Sequence, residues 1–182
     1  MKLRALILTA LFAALTAIGA FLKIPVGPVP ITLQFLFTAM AGVLLGRRYG
    51  ALSQLVYVLL GLVGLPIFTA GGGFGYVFQP SFGFLLGLIP CAWVIGFLAR
   101  RRSGPLWIAL SCLAGLAVLY LIGVPYMALI LNVYLDKGLS TAAILKLGMV
   151  PFLPGDALKI AVCAALCPTL QKRLCNFDEF RR

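Results

Sequence analysis

The residues best suited to chemistry in this chain are Asp156 and Lys159, in the stretch Pro154-Gly155-Asp156-Ala157-Leu158-Lys159. Spaced i, i+3, they share one face of a helix. They open an apolar run, and a charge at mid-membrane costs roughly 2.5–3.5 kcal/mol on insertion scales, less near a helix end. Two readings follow. Asp156 caps the helix N-terminus while Lys159 snorkels to the interface, or both line a cavity. An acid suits the positive end of a helix, but a cation one turn inside opposes the dipole. Lys159 therefore needs a carboxylate partner, either Asp156 or a bound anionic ligand. A cavity holding both groups would take a small molecule with an acidic tail and N–H donors.

Three further places carry polar groups at the edge of apolar runs. Thr32 and Gln34 follow Pro28-Val29-Pro30-Ile31; a Gln amide both donates and accepts, which suits a polar heterocycle or, equally, a bond to a neighbouring helix. Gln79, Pro80 and Ser81 open another run, flanked by Tyr76 and Phe84 and preceded by Gly71-Gly72-Gly73-Phe74-Gly75. They read as an aromatic, backbone-rich wall or as interface anchors. The five cysteines, Cys91, Cys112, Cys163, Cys167 and Cys175, lie mostly inside apolar runs, and no His is present to join them. They are expected to be packing residues, with no metal site.

The elements that position these groups must sit in lipid. Of 182 residues, 63% are hydrophobic and 10% charged, and the mean hydropathy is +1.11; a soluble domain is about half apolar and a quarter charged. Six runs reach or approach the roughly 20 residues that cross a bilayer: 5–22, 30–46, 50–67, 79–99, 105–124 and 154–171. They lack the alternation of barrel strands, so the expectation is an all-α integral membrane protein, a six-transmembrane-helix bundle forming one domain. The first run is too long for a typical signal-peptide h-region and is expected to remain as a span.

Charge orients the bundle. Fifteen Lys and Arg face four carboxylates. The clusters at Lys2 and Arg4, Arg47-Arg48, Arg100-Arg101-Arg102, and Lys172, Arg173, Arg181 and Arg182 all fall on one side of a six-span chain. Lys23, Lys137 and Lys146 fall on the other. This asymmetry predicts that both termini are cytoplasmic. It also explains the net charge of +11 without nucleic acid. With no His and one intramembrane carboxylate, an intramembrane enzyme is poorly supported, and no GxxxxGK[ST] motif is present for ATP. The segment 125–153, with Asn132, Tyr134, Asp136 and Lys137, reads as a long outer loop of short helical pieces, either lid or connector. In the first span, Ala10 and Ala14, like Ala13 and Ala17, form small-xxx-small pairs on which a helix can pack, whether from this bundle or from a partner.

In these stretches the chain resembles the BioY family, the biotin-specific substrate-binding (S) subunits of energy-coupling-factor (ECF) transporters. The matching segments are Ile24-Pro25-Val26-Gly27-Pro28-Val29-Pro30-Ile31-Thr32-Leu33-Gln34, Gly61-Leu62-Val63-Gly64-Leu65-Pro66-Ile67-Phe68, the glycine-rich loop, and Pro151-Phe152-Leu153-Pro154-Gly155-Asp156-Ala157-Leu158-Lys159. The resemblance implies biotin as ligand, no cofactor, and a place in the bacterial inner membrane. It also implies two partners, a transmembrane coupling subunit and a pair of cytoplasmic ATPases. It assigns Asp156 and Lys159 to the substrate, and the alanine face of the first helix (Ala10, Ala13, Ala14, Ala17) to the coupling subunit. Where the family has a Gly-Pro-Thr-Gly-Gly-Tyr-like stretch, this chain has Gln79-Pro80-Ser81-Phe82-Gly83-Phe84. That departure leaves room for altered wall contacts or a different vitamin. A solitary proton-driven carrier, with Asp156 as the proton site, is the other alternative.

Overall fold

Long apolar runs in lipid must satisfy their backbone internally, and helices do so. The computed structural model describes residues 3–25, 27–101 and 104–174, with residues 173 and 174 described by backbone alone. Lys2, Arg102, Arg181, Arg182 and Cys175 lie outside the described residues. The elements are α1 (Leu3–Phe21), a ribbon of β1 (Lys23–Ile24) and β2 (Ile31–Thr32), α2 (Gln34–Leu62), a 3-10 turn (Phe74–Phe78), α3 (Phe82–Ala99), α4 (Pro105–Leu129), a π-turn (Ile130–Tyr134), α5 (Thr141–Gly148) and α6 (Leu153–Leu174). Among the described residues the regular structure is thus helical apart from one short antiparallel ribbon, which pairs Lys23 with Thr32 and Ile24 with Ile31, and a lone bridge between Phe68 and Gly71.

Among the described residues four helical segments are long and apolar enough to cross a membrane: Leu3–Phe21, Phe82–Ala99, Pro105–Tyr134 and Leu153–Lys172. Large apolar side chains stand on their outer faces, among them Leu106, Leu121 and Leu158 at 75%, 74% and 67% exposure. Only lipid makes such a surface favourable.

The runs expected at 30–46 and 50–67 join in α2, which breaks at Gly46 (φ +75°, ψ −177°). A side chain is strained in that conformation, and glycine is not. The two arms then fold back on each other. A Cβ on Gly50 would stand 2.9 Å from the Gly42 Cα, Thr38 bonds Gln54, and Gln34 bonds Tyr57. Pairs 42/50, 38/54 and 34/57 are those of an antiparallel helical hairpin. The first arm starts at Gln34 rather than residue 30, because Ile31 and Thr32 are committed to the ribbon. On α3, a Cβ at Gly96 would come within 2.4 Å of the Arg47 nitrogen; its absence lets α3 sit directly on the bend of α2.

Helix α3 packs against α2 on one side and α4 on the other, α6 closes against α2 and α4, and α1 lies against α2. Helix α4 runs through Pro125 to Leu129, past the expected end at 124. A second apolar cluster of Val29, Met127, Leu131, Ile144 and Phe152 pins the segment 125–153 to the ribbon. Within that segment Asn132 clasps Leu139 through both its amide groups, at 2.9 and 2.7 Å, so its role there is to close a turn.

Candidate substrate-binding site

Between the ribbon, α2, α3, α4 and α6 lies a cavity with an empty volume of about 560 Å³, counting its open mouth. At one end stand the charged groups. Leu153 and Pro154 begin α6, and the Asp156 nitrogen bonds the Phe152 carbonyl at 2.8 Å, which closes the first turn. Asp156 and Lys159 are 4% and 7% exposed. The Lys159 ammonium donates to Asp156 Oδ1 at 2.8 Å, and the Tyr120 hydroxyl, reaching across from α4, donates to Oδ2 at 2.5 Å. The carboxylate is thus held from both sides. Lys159 keeps two further N–H donors, and no other acceptor among the described residues takes them. Snorkelling is excluded for Lys159 by its burial and its partner. An ammonium with two unused donors at the edge of a cavity can anchor a ligand oxygen.

The other end is neutral. Thr32 donates to Gln34 Oε1 at 3.0 Å, and Gln34 Nε2 donates to the Tyr57 hydroxyl at 2.7 Å. Tyr57 in turn donates to the Ile67 carbonyl at 3.1 Å, tying the arms of α2 to the loop that follows them. Thr69, Tyr76 and Ser81 continue the polar wall as a chain of hydroxyls, 2.7 Å from Thr69 to Tyr76 and 3.0 Å from Tyr76 to Ser81. Lys23 reaches from the ribbon to the Thr69 carbonyl. Between the two ends the walls are Phe35, Phe84, Leu85, Leu88, Leu119 and Phe152, with Phe84 stacked against Phe152 at 6.4 Å and edge-on to Tyr120 at 6.3 Å. Apolar walls with a few convergent polar groups are the general form of a small-molecule site.

Of the residues singled out from the sequence, Asp156, Lys159, Gln34, Thr32, Tyr76 and Ser81 line this one cavity; Gln79 does not. Gln79 instead uses its backbone, bonding Tyr76 and Phe82 at the end of the 3-10 turn. Phe82, whose bulk suggested an altered wall, is 4% exposed and turned into the core between Tyr76 and Tyr126. The wall position belongs to Phe84. Tyr120 and Thr69 line the cavity and escaped the sequence reading. Tyr120 is one of few polar side chains in an apolar helix, 36 residues from its partner, and nothing in the sequence sets it apart from Ser111 or Tyr126 on the same helix.

The alanine register of α1 divides. Ala10 and Ala14 are exposed, Ala17 is half-buried, and Ala13, at 4%, belongs to the core. Adjacent helical residues point about 100° apart, so Ala13 packs inside while Ala14, and Ala10 one turn before it, remain on the outer face. Cys112, Cys163 and Cys167 cluster at 3.8 and 3.4 Å as buried free thiols joining α4 to α6.

The sequence model of the BioY family matches residues 1–176. The chain is 44% identical over 169 residues to the probable biotin transporter BioY of Lysinibacillus sphaericus, covering 92% of this chain and 86% of that one. It is 39% identical over 171 residues to the biotin transporter BioY of Thermotoga maritima, covering 93% and 97%. Its structure resembles the 2.1 Å crystal structure of the S-component for biotin from an ECF-type ABC transporter, with a TM-score of 0.83, 28% identity, and 94% and 92% of the two chains covered.

Proposed function

Since the chain belongs to the BioY family, we propose that it is a multi-pass membrane S component that captures biotin in the cavity described above and works with an ECF coupling subunit and ATPase pair. The observation that carries this reading is the buried Asp156–Lys159 pair, its ammonium keeping two donors at one end of a cavity with apolar side walls and a neutral polar far end. Biotin has compact, largely apolar fused rings, a ureido group that both donates and accepts, and a carboxylate. The ammonium supplies donors for a ligand oxygen, the carboxylate of Asp156 keeps lone pairs for an N–H, and the hydroxyl and amide wall answers the remaining polar atoms. Phe84, Phe152 and the leucines cover the rings. No bond is made or broken, so the protein binds and releases rather than catalyses.

The hairpin in α2 supports six traversals, by α1, two arms of α2, α3, α4 and α6. Both termini and the clusters at Arg47-Arg48 and Arg100-Arg101 then lie at the cytoplasmic end, and the cavity faces outward. The arms of α2, 34–45 and 47–62, are shorter than the roughly 20 residues of a full span and sit among longer neighbours. The outer face of α1, with Ala10 and Ala14 one turn apart, gives a coupling helix a smooth place to pack.

Equilibrium binding of labelled biotin to the purified chain should saturate at one site, and unlabelled biotin should displace it ahead of other vitamins. Absence of saturable binding, or tighter binding of another vitamin, removes the assignment. Ala14→Leu should leave biotin binding intact and abolish uptake in cells with the complete transporter; loss of both together would mean that α1 packs only within its own bundle.

A further inference from the structure

Beneath the neutral wall of the cavity lies a chain of buried polar side chains that touches no ligand position. Gln54, Thr16 and Thr38 are each fully buried, at 0% exposure. Gln54 stands at its centre. Its amide nitrogen donates to Thr16 of α1 at 3.2 Å and to Ser53 at 3.0 Å. Its amide oxygen accepts from Thr38 at 2.9 Å, and the same Thr38 hydroxyl lies 2.9 Å from the backbone carbonyl of Gln34. Thr38 has one proton for two acceptors, so Gln54 and the Gln34 backbone share it. Thr16 spends its own proton on the Phe12 carbonyl at 2.8 Å, and Ser53 on Gly50 at 2.7 Å. Both donors and the acceptor of the Gln54 amide are occupied.

A second tie joins the same parts. The Leu33 nitrogen donates to the Gly19 carbonyl at 3.1 Å. A Cβ on Gly19 would lie 2.9 Å from the Phe37 ring and 3.1 Å from the Gln34 nitrogen. Helix α1 therefore grips the chain where Gln34 enters the cavity, once through backbone and once through Gln54. We infer that Gln54 is a positioning residue through which Gln34 and α1 move together, so that ligand in the cavity is registered on the α1 face bearing Ala10 and Ala14.

The inference rests on the reading of the cavity as a biotin site. Apolar helices in lipid associate without buried amides, and a polar group placed there must be satisfied by its neighbours. A fully satisfied network fixes one arrangement of the parts that it joins. Here the parts are the ligand wall and the helix offered to the partner, on opposite sides of the hub.

The test is backbone amide exchange of α1 residues 9–20 in the purified chain, with and without saturating biotin, in the parent, Gln54→Met and Thr16→Val. Thr16→Val keeps the shape of the side chain and removes the α1 end of the link together with the bond of Thr16 to the Phe12 carbonyl of its own helix, so it decides alone if Gln54→Met does not fold. In the parent, biotin should raise α1 protection about tenfold; in either variant the increment should fall below about twofold, with biotin affinity kept within about fivefold. A purely structural fastening would lower protection equally with and without biotin and leave the increment intact, which overturns the inference. A parent that binds biotin with no change on α1 overturns it too, while the function above stands. A parent that binds no biotin overturns both.

Discussion

The two ends of the cavity are built on opposite principles. The charged end is local and rigid: Asp156 and Lys159 sit one turn apart on α6, fixed by each other and by Tyr120. The neutral end is assembled from distant pieces, with Thr32 from the ribbon, Gln34 from α2, Thr69 from the following loop, and Tyr76 and Ser81 from the approach to α3. A charge in a low-dielectric site is strong and unforgiving, and its partner must be in place before the ligand arrives. Hydroxyls and amides tolerate rearrangement, so they can ride on segments that move. On the function proposed above, this difference assigns holding of the ligand to the charged end and its admission to the neutral end.

The largest effect should come from splitting the charged pair. Lys159→Met leaves a buried carboxylate with Tyr120 alone, and breaking such a pair costs about 3–5 kcal/mol of stability. Loss of a charge-assisted bond to the ligand should weaken biotin binding by about 100-fold. The double variant Asp156→Asn/Lys159→Met removes the stranded charge, so thermal stability should largely return while binding stays lost. If the double variant binds like the parent, the pair is structural and the charged end is not the anchor.

Next come single bonds on each side. Tyr120→Phe removes one donor from Asp156 and should weaken binding by about tenfold, as befits a hydrogen bond to a charged group. Gln34→Leu should cost less, about fivefold, because its amide is shared among neutral partners. Titration of both variants with labelled biotin ranks them. A reversed order would move the energetic centre of the site to the neutral end.

The same contrast decides what could be read in the sequence. Asp156 and Lys159 are legible because helical spacing alone places them together and lipid makes their presence costly. Gln34 and Thr32 are legible as polar residues at the entry to a span. Tyr120 and Thr69 are not, because nothing local links Tyr120 to residue 156 or Thr69 to residue 76. The four long spans follow from hydropathy, and so does the division of α2 into runs 30–46 and 50–67 at Arg47-Arg48; only its exact turning point, the positive-φ Gly46, needs the backbone. The alanine face shows the limit of counting by fours. Ala10–Ala14 and Ala13–Ala17 are equivalent in sequence, and only the packing of α1 on α2 buries Ala13 and leaves the other pair outside.

The smallest effect tests whether the neutral end is the entrance. Lys23 is exposed on the ribbon and bonds the Thr69 carbonyl on the facing loop. The ribbon also supplies Thr32, and the residues between its strands supply Val29 and Pro30, so this contact fastens one part of the rim to another. Lys23→Met removes the fastening and no ligand contact. Most changes of affinity within one site appear in the dissociation rate, and a single bond from an exposed ammonium is weak because water competes for the cation. Dissociation of labelled biotin should therefore quicken by about threefold, with association unchanged. Slower association at the same dissociation rate would mean that Lys23 shapes the open state instead. No change in either rate would place the entrance elsewhere on the rim, toward 125–153.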